Sequence, residues 1–93
     1  MRELFEKTIA KWGHRAQLEM AQEESTELAL AIRKFMRKND TTTFDAMASE
    51  IADVEIMIEQ IKIMLPDIQE KVYSEKEYKL KRLENRVNCN SFE

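Results

Sequence analysis

Turn-forming residues are almost missing from this chain. Glycine and proline each occur once in 93 residues, as Gly13 and Pro66. A chain so short of them makes few tight reversals, so a small number of long elements is expected. Cysteine also occurs once, as Cys89, which excludes an internal disulfide and fits a reducing compartment. No apolar run approaches the length of a membrane span. The opening MRELFEKTIAKWG carries charge from its second residue, so neither a membrane helix nor a signal peptide is expected. An excess of positive charge is missing too. The net charge of −3 argues against a dedicated nucleic-acid binder. The expectation is a soluble cytoplasmic protein.

What the chain does contain is 35% charged and 43% hydrophobic residues, a mixture suited to amphipathic helices. Its length allows one domain, taken as residues 1–93. So short a chain buries a small fraction of its surface, which favours association with copies of itself. The expected fold is all-α, a compact bundle of about four self-associating helices.

Hydrophobic spacing places the first helix over residues 2–12, with Leu4, Phe5, Ile9 and Trp12 in phase and Gly13 as its C-terminal cap. The second runs from His14 to Lys38 and ends in the basic run RKFMRK, which suits the negative end of a helix dipole. NDTTT, residues 39–43, reads as a loop. A third helix is expected from Phe44 to Leu65, capped by Asp45 or Thr43. Pro66 marks the next break, Asp67 is a candidate cap, and a fourth helix runs to about Val87. Residues 88–93 read as a flexible tail.

Acidic residues fall in unexpected places on these helices. At about 100° per residue, Ala21, Leu28, Ile32 and Phe35 define the apolar stripe of the second helix. Gln17, Glu24 and Ala31 form an adjoining row within that stripe, and Glu27 lies at its margin. On the third helix Met47, Ile51, Val54, Ile58, Ile61 and Leu65 form the main stripe, with Glu50 at its edge and Asp53 further along the same flank. Each helix thus carries an i, i+3 acidic pair on or beside its buried face. Folding the helices back on each other brings the pairs together. Carboxylates crowded in a partly buried space need compensation, because like charges repel and burial penalises ionisation. Oxygen donors alone, with no paired histidine or cysteine, point to Mg²⁺, with Mn²⁺ as a substitute. The competing explanation is neutralisation by lysine or arginine from the fourth helix.

The sequence Glu23-Glu24-Ser25-Thr26-Glu27, then 22 residues, then Glu50-Ile51-Ala52-Asp53, resembles the E-E-x-x-E … E-x-x-D signature of the MazG-type family. The segments WGHRAQLEMAQEESTELALAI, EIADVEIMIEQIKIML and YKLKRLENRV are similar to those of small phage and bacterial members. The likeness extends from about Trp12 to Val87. The resemblance implies an all-α nucleoside triphosphate pyrophosphohydrolase, related to dimeric all-α dUTPases, that converts a nucleoside triphosphate and water to the monophosphate and pyrophosphate with Mg²⁺. It implies Glu24, Glu27, Glu50 and Asp53 as metal ligands, with Glu23 as a supporting or alternative ligand. Glu24 or Glu27 is expected to take the proton of the attacking water. The implied role is adjustment of a nucleotide pool, and the implied assembly is a homodimer or a dimer-of-dimers tetramer.

A triphosphate also needs cations. Lys79, Arg82 and Arg86 share one face of the fourth helix and are expected to contact phosphate, unless they form only a solvated basic stripe balancing Glu75, Glu77 and Glu84. Lys34 and Arg37 are weaker candidates. Trp12, His14 and Gln17 precede the acidic motif and are candidates for contacting the nucleoside, with Gln17 the best placed. Trp12 also reads as a core or interface anchor, and His14 as a surface residue at a helix start. A second apolar strip on the third helix, Ala52, Ile56 and Ile63, reads as a subunit contact. Met20, Met57 and Met64 read either as lining for an adaptable pocket or as core filling. The rival to an enzyme is a non-catalytic helical module for oligomerisation or protein interaction, with or without retained nucleotide and metal binding.

Overall fold

The computed structural model describes residues 1–89 and contains four helices: α1 (Arg2–Trp12), α2 (His14–Arg37), α3 (Thr41–Met64) and α4 (Pro66–Asn88). No strand occurs among the described residues. The chain is an all-α bundle, as its turn-poor composition requires.

The single glycine makes the α1–α2 break. Gly13 adopts φ 90° and ψ 162°, a region essentially closed to side-chain-bearing residues, and its N–H closes α1 by donating to the Ile9 carbonyl at 2.7 Å. The single proline opens α4. It occupies the first helical position, where its missing N–H costs nothing, with Leu65 rather than Asp67 at the cap.

The α2–α3 connection is shorter than the NDTTT reading, and α3 begins at Thr41 rather than Phe44. Asp40 is its N-cap: the Asp40 Oδ1 accepts from the Thr43 N–H at 2.8 Å, and the Thr43 hydroxyl accepts from the Asp40 N–H at 3.2 Å. The three threonines therefore form the first turn of a helix. A reciprocal cap outweighs their modest helix propensity. At the other end of the chain, Asn88 is still helical, so it is not part of the tail expected over residues 88–93, of which residues 90–93 lie outside the described part.

Helices α2 and α3 form a long antiparallel hairpin, with α1 packed on both. Phe35 and Phe44 meet beside the turn with ring centroids 6.2 Å apart. Ile9 is buried where α1 joins the hairpin. The hairpin seam agrees with the expected stripes only in part: Ala21, Leu28, Phe35, Met47, Val54 and Ile61 are half-buried, but the closest approach falls on the adjoining row. The row facing α3 is Gln17, Glu24 and Ala31, and the row facing α2 is Glu50, Asp53, Met57 and Gln60; Gln17, Ala31, Met57 and Gln60 are buried and the three acids half-buried. Ile32, Ile51, Ile58 and Leu65, placed by periodicity in the main stripes, retain 41–45% exposure. Small and polar residues let the two backbones approach along this seam, and these four branched residues are turned to its flanks. Met57 and Met64 fill the core, while Met20 is exposed.

Helix α4 packs only against α3 and contributes no buried residue. Tyr73, Leu80, Leu83 and Val87 remain more than half exposed along it. The molecule accordingly spans 51 × 36 × 20 Å.

Candidate metal centre

The antiparallel register of α2 and α3 sets the site. Gln17 pairs with Gln60 across the seam, its Nε2 donating to the Gln60 Oε1 at 2.6 Å. One heptad further along both helices, Glu24 faces Asp53. One turn beyond that, Glu27 faces Glu50. The two i, i+3 pairs read from the sequence thus meet.

Carboxylate oxygens of Glu24, Glu27 and Glu50 all lie within 4.8 Å of one another. Glu24 and Glu50 are half-buried and Glu27 is exposed. The Glu24 carboxyl is held above its ordinary range, chiefly by desolvation, then by a hydrogen bond with Asp53 and the charges of Asp53, Glu27 and Glu50. The Glu50 carboxyl is raised as well, again first by desolvation and then by Glu27 and Asp53. Asp53 therefore belongs electrostatically to the same cluster. The Oε2 of Glu24 is shielded from solvent and has no hydrogen-bond partner.

No cation among the described residues forms an ion pair that relieves this crowding. Among the described residues, none of the four acids takes part in an ion pair within 4.0 Å; the six ion pairs engage other carboxylates. Neutralisation by α4, the competing explanation, is not what the fold provides. Lys79 pairs instead with Glu75 at 3.8 Å, the Arg82 guanidinium lies 5.6 Å from the Tyr78 ring centroid, and Arg86 is solvent-exposed. Because α4 does not touch α2, these three candidate phosphate ligands are not brought to the acids within one chain.

The other sequence candidates are spread out. Glu23 is exposed on a shallow surface with Gln22, Thr26 and Glu27, on the outer side of the cluster. Trp12 is 57% exposed with the Lys11 ammonium 5.0 Å from its ring centroid, so it anchors no core within the chain. His14 is exposed at the start of α2. Gln17 is buried and its amide donor is committed to Gln60, which makes it a bolt of the hairpin as well as a neighbour of the site.

A cavity of about 520 Å³ opens beside Glu27 and Glu50, on the side of the α2–α3 turn. That volume falls within the range of small-molecule sites. Leu30, Ala31 and Ala46 supply apolar wall, and Lys34, Thr42 and Ser49 bring polar groups to it. Sequence reading ranked Lys34 low and passed over Thr42 and Ser49. The signal that finds them is the register, which sets the last turns of α2 against the first turns of α3.

The donor set fits a hard divalent ion: clustered carboxylate oxygens, one of them buried without a partner, and no neutralising side chain. No protein-family model, no curated protein and no solved structure matches the chain.

Proposed function

We propose that this protein is a Mg²⁺-dependent nucleoside triphosphate pyrophosphohydrolase. The observation that carries this reading is the convergence of Glu24, Glu27 and Glu50 within 4.8 Å, with Asp53 against Glu24 and no ion pair to balance them among the described residues. Their order along the chain is the E-E-x-x-E … E-x-x-D arrangement that resembles MazG-type enzymes. The adjoining cavity gives a substrate somewhere to rest.

Glu24, Glu50 and Asp53 would hold the ion from the seam, and Glu27 would complete its ligands from the exposed side. Mg²⁺, once bound, neutralises phosphate charge, orients the triphosphate and makes water a better nucleophile. An oxygen of Glu27 or Glu24 left free of the ion accepts the proton of the attacking water. Water adds to phosphorus, the phosphoanhydride bond breaks, and pyrophosphate and the monophosphate leave. Mn²⁺ fits the same oxygen donors.

We further propose a homodimer or tetramer as the working form. Exposed Tyr73, Leu80, Leu83 and Val87 recur at steps of seven, three and four residues along α4, and Ile51 and Ile58 of α3 are also left uncovered. A second copy would cover them. Among the described residues no helix is long and apolar enough to cross a membrane.

Incubation of purified protein with nucleoside triphosphates tests the reading. Monophosphate and pyrophosphate formed with Mg²⁺, and not with chelator, support it. Folded protein that turns over no nucleotide and takes up no divalent ion contradicts it and leaves a helical interaction module.

A further inference from the structure

The cavity beside the acids has a chemistry that the metal centre does not use. Its two acidic neighbours, Glu27 and Glu50, lie at the metal end. Beyond them the wall is apolar, formed by Leu30, Ala31 and Ala46. Among the described residues Lys34 forms no ion pair, and the hydroxyls of Thr42 and Ser49 make no hydrogen bond. Thr43, by contrast, is consumed by the capping box. Among the described residues the cavity therefore presents one cation and two hydroxyls without a partner in the chain, all on solvent-exposed residues beside an apolar wall.

We propose that this cavity receives the nucleoside end of the substrate, and that Lys34 selects bases with a carbonyl oxygen rather than an amine on C6 of a purine or C4 of a pyrimidine. The proposal rests on the pyrophosphohydrolase reading. A triphosphate chain does not suit this space, because apolar walls do not replace the hydration of phosphate and one ammonium does not balance it. A flat base and a sugar do suit it, since ligand sites combine apolar surface with a few placed polar groups. Thr42 and Ser49 can each donate or accept, so they serve any base. The Lys34 ammonium can only donate. Guanine, thymine and uracil offer it a carbonyl where adenine and cytosine place an amine, itself a donor. An amine there leaves two donors facing each other, and sites built around one hydrogen-bond polarity reject the other more strongly than they reward the match.

The experiment measures kcat/KM for a set of deoxynucleoside triphosphates with Mg²⁺, using wild type, Lys34→Met and Ala46→Leu. Inorganic tripolyphosphate serves as an inhibitor that has phosphates but no nucleoside. The expected result is a preference of about 10- to 100-fold for dGTP, dTTP and dUTP over dATP and dCTP. Lys34→Met should compress that ratio at least about tenfold. Ala46→Leu, which fills the cavity, should raise KM for every nucleotide and leave tripolyphosphate inhibition unchanged. Preference for amino-bearing bases overturns the proposal, as does Lys34→Met that weakens all nucleotides and tripolyphosphate alike. Wild type that hydrolyses nucleotides while both variants match it overturns the pocket assignment alone. Wild type that hydrolyses none overturns the enzyme reading and the pocket with it.

Discussion

Gln17 and Gln60 are joined by a 2.6 Å hydrogen bond in the buried seam between α2 and α3, and they are as deeply buried as the core methionines Met57 and Met64. Their pairing fixes the register that places Glu24 opposite Asp53 and Glu27 opposite Glu50. A one-turn slip of either helix would separate both the amides and the acids.

Removing one amide should therefore be costly. Gln17→Ala leaves Gln60 buried without its partner, at about 1–3 kcal/mol, which lowers Tm by several degrees or more in a domain of this size. The double variant Gln17→Leu/Gln60→Leu should recover much of that loss, since two apolar groups leave no orphaned amide. Thermal denaturation of the single and double variants checks this. Equal and additive losses would mean that the pair carries no coupling.

The acids should make the metal-free protein sensitive to pH. Glu24 and Glu50 have raised pKa values in the folded state, so the fold binds their protons more tightly than the unfolded chain does. Their contribution to stability is fully present below the unfolded value near 4.5 and declines as pH rises through the raised folded values. Denaturation in chelator across this window should show the decline, and Glu24→Gln should flatten it. Mg²⁺ should restore stability most at the higher pH, where the carboxylates are ionised. A pH profile unchanged by Glu24→Gln would contradict the crowding.

Capping at Asp40 holds the α3 side of the cavity. Asp40→Ala removes the acceptor for the Thr43 N–H and should cost about 1 kcal/mol. Hydrogen exchange should increase in the first turn of α3, near Thr42, more than in the rest of that helix. Uniform protection after the substitution would show that packing alone holds this end.

Self-association should depend on α4. Leu83→Glu places a charge on its exposed apolar face and should convert an oligomer to monomer in sedimentation analysis. An oligomer that survives both Leu83→Glu and Leu80→Glu would move the contact to another surface, with the uncovered isoleucines of α3 the next place to look.

The sequence made the helix count legible because its breaks are chemically isolated: one glycine at the first and one proline at the last. The α3 start was harder to read. Three consecutive threonines look like loop until Asp40 is seen to cap them. The acidic cluster was legible because Glu24 interrupts an apolar row and because Asp53 and Glu50 repeat that interruption on the next helix. The seam was not. Periodicity rewards the most apolar stripe, whereas α2 and α3 approach along a row of small and polar residues that leaves Ile51 and Ile58 on the flank. Contacts between α4 and the rest of the chain were equally hidden, since the shared face of Lys79, Arg82 and Arg86 does not say which helix that face meets.

The most direct test of the central claim combines product analysis with substitution of the acids. Wild type, Glu24→Gln and Asp53→Asn would be incubated with ribo- and deoxynucleoside triphosphates, with Mg²⁺ and with chelator, after circular dichroism has established that each is helical. Monophosphate and pyrophosphate should appear in equal amounts, only with Mg²⁺, and at least about tenfold more slowly in either variant, since a lost carboxylate weakens the hold on the ion and its charge. Turnover that persists in chelator, or that survives both substitutions unchanged, would contradict a metal centre built from these acids.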